Sequence, residues 1–276
     1  MRIENDKMIL EIKEMASEIT SFRSKETGLE YMWQGDPAFW SGRNPTLFPM
    51  VGSTWNKKIE IDGKTYEMGN HGFCRHSNFT CISQTEDQIV MNLKSSEETL
   101  AQYPYDFDMK ITYTLKDTKV HISYVITNTS DKKMPFNFGL HPAFNCPLEE
   151  GEKFEDYRLS FSVPEKYESD VFSFEGKDLP LTYDMFEKVA TLILEHPNSS
   201  YVSLTNDKHE LRVHYSGYRW LAFWTKQTGA PFVCIEPWHG HTDFTEVHVP
   251  FDKREGTQIL EPGRSFTTEY EIEVIR

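Results

Sequence analysis

The sequence predicts an all-β protein, an antiparallel sandwich with few short helices, and three observations carry that prediction. Short segments rich in β-branched and aromatic residues recur along the 276 residues, with turn residues between them. Helical signals are confined to two brief stretches. Strands and helices do not alternate in the rhythm that a parallel sheet requires.

In chain order, strands are expected at Met8 to Ile12, Ile19 to Phe22, Lys58 to Ile61, Thr65 to Met68, Phe79 to Ser83 and Gln88 to Leu93. The hairpin around Asp62-Gly63 is the clearest, because Asp-Gly between two alternating runs supplies the positive φ angles of a tight two-residue turn. Phe107 to Leu115 and Val120 to Thr127 read as a second hairpin, turning over Lys116 to Lys119. Strands continue at Tyr157 to Ser162, Tyr201 to Leu204, Leu211 to Tyr215, Trp220 to Trp224, Phe232 to Glu236 and Phe266 to Val274. One helix is expected to open on a capping box from Ser95 to Glu98 and to run to about Gln102, and a second spans Tyr183 to Val189. The most loop-like stretch, Asn145 to Glu155, is short, and there is neither a linker nor an internal repeat. A single domain over residues 1–276 is therefore expected.

Charge narrows the partners. Lysine and arginine number 29 against 43 acidic residues, a formal charge of −14 that repels phosphate backbones and anionic lipid heads. Nucleic acid and membrane partners are not expected. No apolar run approaches the roughly 18 to 20 residues needed to span a bilayer, and the first ten residues carry charges where a signal peptide is apolar. A soluble, cytoplasmic protein is predicted, with monomer and homodimer both open. Cys74, Cys81, Cys146 and Cys234 form no C-x-x-C pair and read as free thiols.

Three clusters combine histidine, carboxylate or arginine with Gly, Pro and aromatic residues: Gly69 to His76, Phe138 to Phe144 and Cys234 to His241. Pro142 pushes His141 into an extended conformation, and Gly139 permits an unusual backbone two residues before it. His141 is thus a candidate general acid, or a hydrogen-bonded histidine at a strand end. Glu236 closes the apolar run Phe232 to Ile235 and precedes Pro237-Trp238; burial there raises a carboxyl pKa, which suits a general base, while a structural ion pair is the alternative. Glu236, His239 and His241 also offer metal-ligand atoms, but the two histidines lack the i, i+4 spacing of a zinc helix, so no metal is expected.

His71 and Arg75 lie in a loop bounded by Gly69 and Gly72, and Arg43 lies in another, Gly42 to Pro45. Guanidinium and imidazole groups among aromatics suit a polyhydroxylated ligand, whose hydroxyls line the ring edge and whose C–H groups cover the face. Trp55, Phe73, Phe144, Trp224 and Trp238 are the candidate platforms, although an aromatic taken alone is more often core than platform.

Taken in order, these segments resemble the aldose 1-epimerase (galactose mutarotase-like) superfamily, most closely its LacX-like branch. The resemblance runs from Leu29-Glu30-Tyr31-Met32-Trp33 through Arg43 to Pro49, His71-Gly72-Phe73-Cys74-Arg75 and Gly139 to Phe144, and ends at Cys234-Ile235-Glu236-Pro237-Trp238. It implies a β-supersandwich and interconversion of α and β anomers of an aldose, with no cofactor. It places His141 at the family's general acid and Glu236 at its general base. His71 matches the histidine that steadies the ring-oxygen side of the sugar, and Arg43 the arginine of the early binding loop. Arg75 departs from the free-galactose enzymes and is similar to the His-Gly-x-x-Arg of the hexose-6-phosphate branch, so a free aldohexose and a hexose phosphate are both implied. A sugar-binding protein without turnover is the remaining alternative. A glycosidase is disfavoured, because pairing one carboxylate with a histidine does not supply the two carboxylates that usually flank a scissile bond.

Overall fold

Two antiparallel sheets face each other in the computed structural model, which describes residues 1–227 and 229–276. The larger has nine strands, in the spatial order Ser173–Pro180, Arg158–Glu168, Tyr201–Thr205, Glu210–His214, Ser265–Val274, Lys119–Asn128, Phe107–Lys116, Gln88–Lys94 and Thr80–Gln84. The smaller runs Leu192–Glu195, Trp220–Trp224, Phe232–His239, Phe138–Leu140 and Thr46–Leu47, with Ala143–Asn145 also paired to Phe232–His239. An N-terminal sheet of Arg2–Glu4, Met8–Ile12 and Ile19–Ser24, the hairpin Lys58–Ile61 with Lys64–Glu67, and the long-range pair Met134–Phe136 with Gln258–Leu260 complete the β structure.

Side-chain alternation explains how the large sheet finds its face. Phe107, Met109, Ile111, Tyr113 and Leu115 are buried, while the residues between them are partly or fully exposed. Burying one such side chain is worth roughly 1.5–3 kcal/mol, so a one-residue slip that turned the set outward would be strongly unfavourable. The neighbouring strand repeats the pattern, with Ile122 opposite Tyr113 and Tyr124 opposite Ile111.

The smaller sheet is buried on both faces. Leu221, Phe223, Val233 and Ile235 join the main core, where the Phe223 ring lies 5.8 Å from Phe161 of the large sheet. The alternate residues Trp220, Ala222, Cys234, Glu236 and Trp238 face the other way, onto smaller apolar clusters and the cleft described below. This near-continuous apolar content is why Phe232–His239 reads as a run without alternation.

Several expectations need adjustment. The Asp62-Gly63 turn forms with φ of 50° and 70°, and the two helices appear at Glu97–Gln102 and Tyr183–Lys188. The first helix is capped one residue later than expected, by Ser96 and Thr99 rather than Ser95 and Glu98, because the Ser96 hydroxyl accepts the Thr99 N–H while Thr99 Oγ1 accepts the Ser96 N–H. Glu236 does not end its strand: the strand continues to His239, so Glu236 sits in mid-strand opposite Ala222. Gly139 has an ordinary negative φ, and its role is close approach, since a Cβ there would stand 2.8 Å from Trp238 Cδ1 and 2.9 Å from Val51 Cγ2. Among the described residues, no helix is long and apolar enough to cross a membrane.

Candidate active site

A cleft of about 710 Å³ opens on the outer face of the smaller sheet, with Trp40, His71, Arg75, His141, Trp224, Glu236 and Trp238 in its wall. Glu236 and Trp238 reach it from the central strand, and small Ala222 opposite Glu236 leaves room for the carboxylate. His141 lies in the gap between Phe138–Leu140 and Ala143–Asn145, both paired to that same strand. The gap is a consequence of proline chemistry: Pro142 and Pro237 have no N–H to donate, and one bond, from the Ile235 N–H to the Pro142 carbonyl at 3.1 Å, spans it.

His141 Nε2 and Glu236 Oε2 are 3.3 Å apart, with side chains only 9 % and 2 % exposed. Their approach does not close a hydrogen bond, and Glu236 Oε2, His141 Nδ1 and Trp238 Nε1 are buried polar atoms without a protein partner among the described residues. Three such atoms in one cleft are costly to keep, at roughly 1–3 kcal/mol each, and are characteristic of a site that awaits polar groups. Burial pushes the Glu236 carboxyl well above its ordinary value, opposed by the Trp238 indole and the Arg75 guanidinium. Burial also drives His141 well below its ordinary value, reinforced by His71 and Arg75. Each group is therefore pressed toward its neutral form.

His71 is fixed with unusual stringency. Its φ of 64° is sparsely populated for a residue with a side chain, and it is held by reciprocal bonds to Gly52. The His71 N–H donates to the Gly52 carbonyl at 2.7 Å, and the Gly52 N–H donates to His71 Nδ1 at 3.0 Å. Accepting at Nδ1 leaves the ring proton on Nε2, so the neutral imidazole is a fixed donor. Burial, helped by Arg75, lowers its pKa to about 3, which keeps it neutral at physiological pH. Arg75 itself has no side-chain hydrogen bond or ion pair among the described residues, and its guanidinium is the cleft's cation.

Trp40 is a wall residue that the sequence reading omits. Its ring lies 4.7 Å from His141 at an interplanar angle of 30°, and meets Trp224 edge-on at 5.5 Å. The available signal was Gly42: a Cβ there would fall 2.4 Å from Trp40 Cζ2, so the glycine lets the indole fold back over the chain. Thr191, Ile193, Thr242 and Phe244 also line the wall, and no sequence pattern singles them out.

Other expected site residues lie elsewhere. Arg43 does not line the cleft; its guanidinium donates to the Gln34 carbonyl at 2.6 Å, while its N–H and that of Asn44 donate to buried Glu18. Phe144 is fully buried in the main core. Phe73 packs there against Phe48 and Phe107, and Trp55 is exposed, donating from Nε1 to the Val247 carbonyl. Glu236, His239 and His241 are not gathered into a ligand set: His239 stacks on Tyr218 at 4.4 Å, and His241 stacks on Phe244 at 5.2 Å. Ligand atoms of His141, Cys234 and Glu236 do lie within 4.8 Å of one another, but burial raises the Cys234 thiol well above its ordinary value, which opposes the thiolate a metal needs.

Comparison with known proteins shows the family and the fold. Residues 1–273 match the family model for aldose 1-epimerase. The chain is 32% identical to the plasmid-encoded protein LacX of Lactococcus lactis subsp. lactis, across 100% of this chain and 99% of that protein. It superposes with a TM-score of 0.91 on a galactose mutarotase related enzyme from Lactobacillus acidophilus, at 29% identity and covering 100% of this chain and 97% of that one. A galactose mutarotase-like protein from Lactobacillus casei superposes with a TM-score of 0.90, at 28% identity and covering 100% and 99% of the two chains.

Proposed function

The chain belongs to the aldose 1-epimerase family, and we propose that it interconverts the α and β anomers of a hexose by opening and reclosing the hemiacetal ring. The observation that carries this reading is the 3.3 Å separation of His141 Nε2 and Glu236 Oε2 at the cleft wall. The two oxygens of a hemiacetal hang on a single carbon, so the groups that exchange protons with them must themselves be neighbours. A glycosidase arrangement would instead set two carboxylates about 5 Å or more apart across a bond.

In the forward direction the Glu236 carboxylate takes the proton of the C1 hydroxyl while the His141 imidazolium gives its proton to the ring oxygen. The bond from C1 to the ring oxygen breaks, leaving an open-chain aldehyde. Rotation about C1–C2 presents the other face of the carbonyl. The protons then return, the ring hydroxyl attacks C1, and the opposite anomer forms with the pair restored. Burial favours neutral Glu236 and neutral His141 in the protein alone. That form and the reactive ion pair contain the same single proton, so only its position has to change as the sugar binds. The reaction consists of two proton transfers and a bond rotation, and calls for no cofactor.

His71 supplies a hydrogen bond to an oxygen of the ring, and the Trp40, Trp224 and Trp238 rings offer faces for sugar C–H groups. An uncharged or lightly modified hexose is the favoured substrate: Arg75 is the cleft's arginine, and the Arg43 that would have paired with it on a phosphate is turned toward Gln34. Proton-NMR exchange between α and β resonances, run on a panel of hexoses and hexose 6-phosphates against the spontaneous rate, tests this. Sugar binding with no acceleration of exchange for any of them would sink the catalytic reading in favour of a sugar sensor.

A further inference from the structure

We propose a second site in this protein, a divalent transition-metal site of zinc type formed by Glu149, Glu152 and His209, separate from the cleft residues. His209 lies in the turn between Tyr201–Thr205 and Glu210–His214, and the two glutamates lie in the loop after Ala143–Asn145. The His209 side chain is only 8 % exposed, and its Nε2 is buried without a hydrogen-bond partner among the described residues. That nitrogen stands 3.5 Å from Glu149 Oε2 and 3.5 Å from Glu152 Oε1, and the three ligand atoms all fall within 4.8 Å of one another. Ligands held at about 2.0–2.2 Å around a tetrahedral ion are separated by roughly 3.3–3.6 Å, so both histidine-to-carboxylate spacings already match the edges of such a site.

The surroundings hold the ligands in place. Glu152 Oε2 accepts from the Tyr157 hydroxyl at 2.5 Å and from the Glu149 N–H at 3.3 Å, leaving Oε1 turned toward the histidine with a bond from Asn206 Nδ2 at 3.2 Å. Asn206 Oδ1 accepts the Lys208 and His209 N–H groups, and Thr205 Oγ1 donates to the His209 carbonyl, so the turn that carries the imidazole is braced from within. Outer contacts of this kind orient ligands in built metal sites. One imidazole with two carboxylates suits Zn²⁺ and disfavours Mg²⁺ or Ca²⁺, which take oxygen ligands.

Lys208 is the competitor. Its ammonium lies 3.4 Å from Glu149 Oε2 and 3.3 Å from Glu152 Oε1, the same two oxygens, on a side chain that is 64% exposed and free to swing away. The proposal therefore predicts that removing this amine strengthens metal binding, an effect a merely structural ion-pair cluster would not show.

Calorimetric titration of the intact protein with ZnCl₂, alongside thermal melts with and without one equivalent, tests the site. Wild type is expected to bind one Zn²⁺ with a rise in Tm, Lys208→Met to bind about 10-fold or more tightly, and Glu149→Gln and His209→Gln to lose about 100-fold or more. Glu149 is partly exposed, so its variant keeps the test valid if His209→Gln folds poorly. MgCl₂ in place of ZnCl₂ should give no response. No Zn²⁺ binding by either wild type or Lys208→Met, or binding undiminished in Glu149→Gln, overturns the proposal.

Discussion

His141 and Glu236 are facing residues of one interrupted antiparallel ladder. Gly139 pairs with Trp238 and Ala143 pairs with Cys234, a constant register that sets His141 directly across from Glu236 although 94 residues separate them along the chain. Their 3.3 Å approach is thus a property of strand pairing. Side chains of directly opposed strand residues start only about 4.5–5.5 Å apart at Cβ, so no loop has to be ordered to bring the two groups together.

From this follows the expected behaviour of variants in the pair. Glu236→Gln keeps the shape and removes the carboxylate, and anomer exchange should fall about 10² to 10⁴-fold with sugar binding largely retained. His141→Asn should fall similarly, and the double variant should lose less than the product of the two single losses, as expected when both act in one relay. NMR exchange rates with a separate calorimetric sugar affinity would check this; near-wild-type exchange by Glu236→Gln would remove the mechanism.

The same burial predicts a pH signature in stability. Glu236 has a raised pKa in the folded state, so above the unfolded carboxylate value of about 4.3 the folded protein binds more protons than the unfolded chain, and stability is lost as pH rises toward the folded value. Glu236→Gln should therefore be more stable than wild type at pH 8, with the advantage shrinking toward pH 4. Thermal melts across that range decide it, and a gap that is constant or widens on acidification would contradict the assignment.

Histidines act in the opposite sense. His71 falls to about 3 and His239 to about 4 through burial, and His141 is also lowered, so below about pH 6.5 the unfolded chain binds protons that the folded one refuses. Stability falls as pH drops from that value toward the folded ones. His71 and His239 should each remove about 1.6 kcal/mol between pH 6.5 and 5. His239 stands outside the cleft, so His239→Gln can be read without touching catalysis. Urea titrations should show its slope of stability against pH reduced by about 1.1 kcal/mol per unit over that interval; an unchanged slope would mean His239 is not the proton acceptor.

The sequence made the large sheet legible because its strands are long and one-sided: ten residues of strict alternation at Phe107–Lys116 leave little choice of face. The cleft-bearing sheet was harder. Thr46–Leu47, Phe138–Leu140 and Ala143–Asn145 have two or three residues each, too few to display any period, and their pairing partners lie far along the chain. His141, Glu236, His71 and Arg75 stood out because their neighbours were Gly, Pro and Trp, and all four do line one cleft. Arg43 shared that local composition, but its direction is set by Glu18, which fixes the Arg43 N–H, and by the Gln34 carbonyl, contacts that no local pattern encodes. The aromatic platforms divided for a similar reason: Trp224 and Trp238 occupy the cleft face of their strands, whereas Phe144 points into the core.

Arg75 gives the substrate prediction. With Arg43 turned away, Arg75→Ala should weaken exchange of free hexoses and of their 6-phosphates to a similar extent, since a single guanidinium would be serving hydroxyls. Had it anchored a phosphate, the charge-assisted contact would contribute about 1.5–3 kcal/mol, or roughly 10- to 150-fold, to the phosphorylated substrates alone. A loss confined to the 6-phosphates would reassign the substrate class.

The Trp40 indole is the least direct and most discriminating target. It stacks on His141 at 4.7 Å, and Gly42 is the residue that makes room for it, because a Cβ there would lie 2.4 Å from Cζ2 and 2.7 Å from Cε2 of the ring. Gly42→Ala should therefore push the indole off His141 without contacting sugar itself, and displacement of a proton donor's support by about 1 Å can cost on the order of 10² in rate. The backbone of the loop is separately tethered, by the Trp33 indole N–H to the Trp40 carbonyl at 2.8 Å, so the fold should survive with little change in Tm. Trp40→Phe replaces the indole with a smaller ring and leaves space for the added methyl. In that background Gly42→Ala should have little further effect on exchange, which a double-mutant cycle measures. If instead the two losses multiply, Gly42 acts through the backbone and the indole has no part in holding His141.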